Sequence, residues 1–169
     1  MPISMYCASV PVFRQMLTSL SDVLGKAQAH AVAKNFDPQA LLQARLFPDM
    51  FNLIRQVQIA CDFAKGVSLR LARQDIPAFE DNEQSFADLQ ARISKTLALF
   101  EGLHEAQFAG SEALEIVLRP GTPKERNIIG QQYLLGYGLP QFFFHVTTAY
   151  DLLRHNGVDL GKKDFMGSY

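Results

Sequence analysis

The sequence predicts an all-α fold: a bundle of four amphipathic helices around one core, with a small β-hairpin between the third and fourth. Three observations predict it. Apolar residues recur at alternating spacings of three and four over long runs, which lays one buried stripe along a helix. One short segment, near residues 114–118, breaks that rhythm and is followed by proline and glycine punctuation. No repeat and no linker-like stretch divides the 169 residues, a length that suits one domain over residues 1–169 and buries ~68–70% of the unfolded surface.

The first helix is expected from about Val10 to Ala33, where Phe13, Leu17, Leu20, Leu24, Ala27 and Ala31 keep the stripe. Ser9 and Pro11 supply a cap and a first-turn proline. Asp37-Pro38 opens a short turn carrying Leu41, Leu42 and Leu46, and Phe47-Pro48-Asp49 begins the second helix. Met50, Leu53, Ile54, Val57, Ala60, Cys61 and Ala64 form its apolar face, Gly66 loosens its far end, and Gln58 and Asp62 lie at the edge of the buried arc. Pro77 and the polar string 80–85 break the chain, and Ser85 with Asp88 forms a capping arrangement. The third helix follows on Phe86, Leu89, Ile93, Leu97, Phe100 and Leu103. Residues 114–118 and 127–129 then fit two strands joined through Pro120-Gly121-Thr122-Pro123. The last helix covers residues 140–156, with an earlier portion through Tyr133 and Leu135 that Gly136, Gly138 and Pro140 kink. Asn156-Gly157 stops it, with Val158 packing back, and Arg154 and His155 suit the carbonyl end.

Sixteen Lys and Arg against seventeen Asp and Glu give a net charge of -1, so no basic field gathers phosphates and nucleic acid is not an expected partner. The opening residues lack a basic region followed by an apolar run, and no stretch approaches ~18 apolar residues; a soluble, cytoplasmic protein without membrane contact is the expectation. Cys7 and Cys61 stand far apart with no metal-ligand spacing and read as free thiols.

His145 is the residue that demands chemistry, because it sits in the apolar run Phe142-Phe143-Phe144-His145-Val146. An isolated imidazole on such a face is most simply a core residue with one satisfied nitrogen. As a metal ligand it needs company, and the i+4 position that would carry a second histidine is Ala149. Donors from across the bundle would be Gln58 and Asp62, or His104 near the end of the third helix, giving an oxygen-rich site for a divalent ion such as nickel, zinc or manganese. Thr148 and Tyr150 are candidates for the lining of a pocket beside the ring, with Thr147 and Asp151 also near in sequence. His155 is ~15 Å along the axis from His145 and reads as a helix-terminal residue, and His30 reads as solvated. No nucleophile elbow occurs, and Gly157–Lys163 lacks the spacing of a phosphate loop; its lysines read as a solvated tail.

The stretch from Leu46-Phe47-Pro48-Asp49-Met50-Phe51 through Gln56-Val57-Gln58, together with residues 144–150 and 153–165, resembles a bacterial family of unknown function grouped with the DinB/YfiT-like metalloenzymes. The resemblance runs over nearly the whole chain. It implies a DinB-like four-helix bundle, commonly a homodimer, in which typical superfamily members bind a divalent metal through three histidines, one from the second helix and two at i and i+4 on a late helix. Some relatives are thiol-dependent transferases. Here only His145 matches a ligand position, and the second helix contains no histidine.

Two functions follow. In the first the chain is a divergent metal-dependent enzyme, in which His145 and either Asp62 or Gln58 hold an ion that activates water. In the second it is a non-catalytic bundle, without metal, that binds a small molecule or a protein, with His145 and the rings Phe142, Phe143, Phe144 and Tyr150 lining a pocket or an assembly surface.

Overall fold

Val10–Ala33 forms the first long helix, α1, and all six residues of the expected stripe are buried. Ser9 occupies the cap position, but its hydroxyl turns back to the carbonyls of Met5 (2.6 Å) and Tyr6 (3.2 Å) instead of accepting from the first turn. This computed structural model describes residues 3–169. A single turn of helix, α2 (Gln39–Leu42), buries Leu41 and Leu42, while Leu46 stays on the surface.

The second long helix, α3 (Leu53–Leu71), begins later than the Phe47-Pro48-Asp49 signal suggested. Asn52 is the true cap: its Oδ1 accepts from the Arg55 N–H at 3.0 Å. Met50 therefore lies before the helix, and Gly66 passes through it without a break. Residues 72–85 then run with no helix or strand. Ser85 and Asp88 close the expected capping box and start α4 (Phe86–Phe100), which ends before Leu103.

Strands β1 (Glu115–Leu118) and β2 (Arg126–Ile129) pair antiparallel, with Ile116 opposite Ile128. Ile116 is buried, and Leu118 and Ile128, partly buried, pack against the same core. Gly130 follows at once, where a Cβ would fall 1.8 Å from the Ser111 carbonyl oxygen; the chain can cross there only as glycine. The last long helical stretch is continuous: α5 (Gly130–Gln132), a π-helical segment (Tyr133–Gly138) and α6 (Leu139–His155). The expected kink at Gly136, Gly138 and Pro140 is thus a widened turn, in which the Leu139 N–H reaches back five residues to Leu134. Asn156-Gly157 stops α6 as expected, with Gly157 at φ +87° and the Val158 N–H bonded to the Leu153 carbonyl. The tail forms α7 (Lys162–Met166); Lys162 and Lys163 are exposed, but Ser19 ties the segment to α1 through the Asp164 and Phe165 carbonyls.

The fold is mostly helical. The long helices pack on one another: α3 on α6 and α4, and α1 on α4 and α6. Phe13 and Phe142 meet edge to face at 4.8 Å in the core. Gly138 brings the π segment onto α3, since a Cβ there would lie 2.7 Å from Val67 Cγ2. No helix among the described residues is long and apolar enough to cross a membrane. Cys7 is exposed and Cys61 buried, both free thiols.

Candidate functional site

His145 points into the protein and is 7% exposed. Its Nδ1 lies 2.7 Å from Oε1 of Gln56 on α3. The other end of that amide, Nε2, donates to the Phe51 carbonyl at 3.1 Å. A carbonyl can only accept, so the amide orientation is forced, Oε1 faces the ring, and Nδ1 must carry the proton. Burial, then the nearby Arg55 charge, lowers the imidazole to about 4, so the ring is neutral at pH 7 with its lone pair on Nε2. The buried polar side-chain atoms without a partner, among the described residues, are Ser68 Oγ, Arg92 Nε and Ser111 Oγ. Phe63 stacks on the imidazole (6.1 Å, 15°) and Phe144 meets it edge-on (5.2 Å).

The other residues expected around His145 are committed elsewhere. Gln58 is buried and bonds Glu83 at 2.7 Å and Arg55 at 3.1 Å. Asp62 is held by Arg92 (2.9 Å) and Lys65 (3.1 Å). Neither bonds to His145, which takes Gln56 instead. His104 is exposed beyond the end of α4, where its N–H donates to Gln107. Thr148 is buried and its hydroxyl donates back to the Phe144 carbonyl at 2.7 Å. Tyr150 packs edge-on against Phe165 of α7 (5.6 Å). Among the described residues no three His, Cys, Asp or Glu side chains are grouped as a metal would need.

A second region is concave. A groove of about 460 Å³ runs along α3 from Phe63 to Arg70, walled by the irregular segment at Ile76–Phe79, the end of the hairpin at Leu118 and Arg119, and the π segment. Phe63 belongs to both regions, one as groove lining and one through the imidazole it stacks on. The π segment sets the far wall: its wide turn brings Tyr133 and Tyr137, four apart, nearly into register, and their rings stack at 5.8 Å and 24°. Tyr137 in turn meets Phe63 edge-on at 5.7 Å.

The irregular wall is fixed by charge. Arg92, 2% exposed, bonds Glu83 (2.9 Å), Asp81 (3.1 Å), Asp62 (2.9 Å) and the Glu80 carbonyl (3.0 Å). Asp81 also pairs with Arg55. The Phe79 ring sits among Lys65 (Nζ 3.8 Å), Lys95 (4.1 Å) and Arg92 (5.6 Å), a cation–π cluster that holds the ring over α3 and α4.

Gln56, Arg70 and Tyr133 are the site residues that sequence reasoning missed. Gln56 shares a helix face with Ala60 and Phe63, a spacing that was legible; nothing local marks Arg70 or Tyr133 before the hairpin and π segment are folded onto α3.

Comparison with known proteins bears on the whole chain. A family model described as a domain of unknown function (DUF1993) matches residues 5–166. Among solved structures, the chain is similar to one described as the crystal structure of a DinB family member protein from Shewanella denitrificans: 41% identity, 98% of this chain and 93% of that chain covered, and a TM-score of 0.91. No curated protein matches.

Proposed function

The chain belongs to the DUF1993 family of unknown function, DinB-like in fold, and on that premise we propose that it is a non-catalytic four-helix bundle that binds a small molecule in the groove along α3. The observation that carries this reading is the convergence of four separate chain segments on one concavity of about 460 Å³, within the ~300–1,000 Å³ usual for small-ligand sites. Its lining joins the rings of Phe63, Phe79, Tyr133 and Tyr137 with a few polar groups, the mixture such sites use.

The metal-dependent alternative asks for about three protein donors with an open position. His145 offers one lone pair, at Nε2. Gln56 Oε1 is engaged by Nδ1–H, Asp62 by Arg92 and Lys65, and the next turn of α6 carries Ala149 at 0% exposure. These residues do not fit the three-ligand centre that the superfamily resemblance implies. The imidazole serves better as an oriented hydrogen-bond acceptor behind Phe63. The reading makes the protein soluble and cytoplasmic, and homodimeric as the resemblance implies, which light scattering checks.

The test uses a neutral fluorescent probe, N-phenyl-1-naphthylamine, with the wild type and with Gly66→Trp. Gly66 lines the groove in mid-helix and a Cβ there meets only Arg70 Nη1, at 3.9 Å, so an indole can grow into the concavity. Saturable binding that Gly66→Trp abolishes, with an unchanged melting midpoint, is the expected result. Binding untouched by the indole would overturn the proposal. Equilibration with nickel, zinc or manganese should leave the wild-type midpoint where it was, since only an ion held by the native state raises it.

A further inference from the structure

We infer that the groove selects an anion: a small molecule carrying a carboxylate or a like oxyanion on an apolar, ring-bearing body, received by Arg70 and Tyr133. The inference rests on the reading of the groove as a ligand site and names the ligand's chemistry.

Lys65 is the cation lining the groove that is already neutralised, by Asp62. Arg70 and Arg119 line it too, and among the described residues neither has a carboxylate partner. Arg119 is exposed at the tip of the hairpin, whereas Arg70 is half-buried. A charge withdrawn from water without a counter-charge is costly, so an unpaired, half-buried guanidinium in a concavity is where an anion gains most.

Arg70 is also oriented. Its Nη1 donates to the Tyr133 hydroxyl at 2.5 Å and to the Gly66 carbonyl at 3.4 Å, and its guanidinium lies 5.5 Å from the Tyr133 ring centre. Among the described residues the hydrogen bonds of this guanidinium run through Nη1, and Nε with Nη2 form the edge that a planar carboxylate meets with two parallel hydrogen bonds. Tyr133 is 2% exposed and burial raises its phenol above the usual range, so it keeps its proton. That hydroxyl accepts from Arg70 and has no acceptor of its own among the described residues. It can therefore donate to the same oxyanion. The stacked rings of Tyr133 and Tyr137, with Phe63 beyond them, offer an apolar surface for the rest of the molecule.

The test compares two probes with one aromatic body, 1-anilinonaphthalene-8-sulfonate and neutral N-phenyl-1-naphthylamine, against the wild type, Arg70→Gln, Tyr133→Phe and Gly66→Trp, each checked for an intact far-UV circular dichroism spectrum. The sulfonate should bind more tightly than the neutral probe, and Arg70→Gln should weaken the sulfonate roughly tenfold or more while leaving the neutral probe unchanged. Tyr133→Phe should weaken the sulfonate less. Benzoate should compete in the wild type and lose that ability in Arg70→Gln. If both probes bind alike and Arg70→Gln weakens neither, while Gly66→Trp abolishes both, the groove is a ligand site and the anion inference falls. If Gly66→Trp changes the binding of neither probe, the groove reading falls with it.

Discussion

Mild acid should destabilise this protein through one histidine. His145 sits near 4 in the folded chain against 6.5 for an ordinary imidazole. The unfolded chain thus binds more protons between those values, and stability rises with pH across them: it is complete above about 6.5 and is lost as pH falls toward 4. The full gap is worth at most about 3 kcal/mol, and roughly 2 kcal/mol of it is gone by pH 5. For a domain of this size that lowers the melting midpoint by ~4–8 °C. Asp88 and Asp164 are held below the usual carboxylate value by hydrogen bonds, from Gln84 and Ser85 for the first and Lys26 and Gly161 for the second; the stability they contribute is lost only lower, as pH falls through the folded carboxylates. The assay is calorimetry at pH 7.5 and pH 5 on the wild type and on His145→Phe, which keeps a ring against Phe63 and cannot titrate. The variant starts lower, because Gln56 Oε1 loses its donor, but it should lose ~4–8 °C less than the wild type between the two pH values. Equal losses would refute the assignment of that slope to His145.

Further outcomes follow from the packing around the groove. Arg92→Met removes the guanidinium that holds Glu83, Asp81 and Asp62 and should cost about 3 kcal/mol in urea unfolding, with faster proteolytic cleavage between residues 73 and 85; an unchanged midpoint and cleavage pattern would contradict the role given to that network. Gly138→Ala should cost about 1–3 kcal/mol through the clash with Val67, and Val67→Ala in the same chain should recover part of it, which a double-mutant cycle measures. Ellman's reagent should titrate one thiol in the native protein and two in urea, because Cys61 is fully buried and burial lifts its thiol to about 12, whereas Cys7 is exposed.

The parts of the fold legible in the sequence are those governed by local chemistry. The stripe from Phe13 to Ala31 needs only the helical repeat, the Ser85–Asp88 box only two side chains and two N–H groups, and the Asn156-Gly157 stop only one residue free to take positive φ. All three stand as expected. The capping of α1 and the start of α3 were harder, because Ser9 and Asn52 are both capping residues and the choice between accepting from the helix and bonding backward depends on the preceding turn. At Ser9 the carbonyls of Met5 and Tyr6 come within reach; at Asn52 the extended backbone aims the side chain forward. The π segment was legible only as glycine and proline in a helical run, a composition shared by kinks and wide turns alike.

The site was misread for a reason that lies in the helix itself. Gln56 and Gln58 are two residues apart, about 200° around α3, so they face different neighbours: the first meets His145 on α6 and the second meets Glu83 beside α4. Both are buried, at 1% and 4% exposure. An apolar stripe with one buried flank tells which polar residue at its edge faces inward, but α3 packs on α6 with one flank and on α4 with the other. The choice between the two glutamines is then a question of which helix lies on which side, and periodicity is silent on that. Ring contacts carry the missing information. Phe63 lies seven residues after Gln56, two turns along one face, and it is Phe63 that stacks on the imidazole; Asp62 and Lys65 share the face of Gln58 and meet Arg92 or Phe79 instead. In this chain the buried histidine is thus matched by the glutamine that shares a face with an aromatic ring, and not by the one that shares a face with charges.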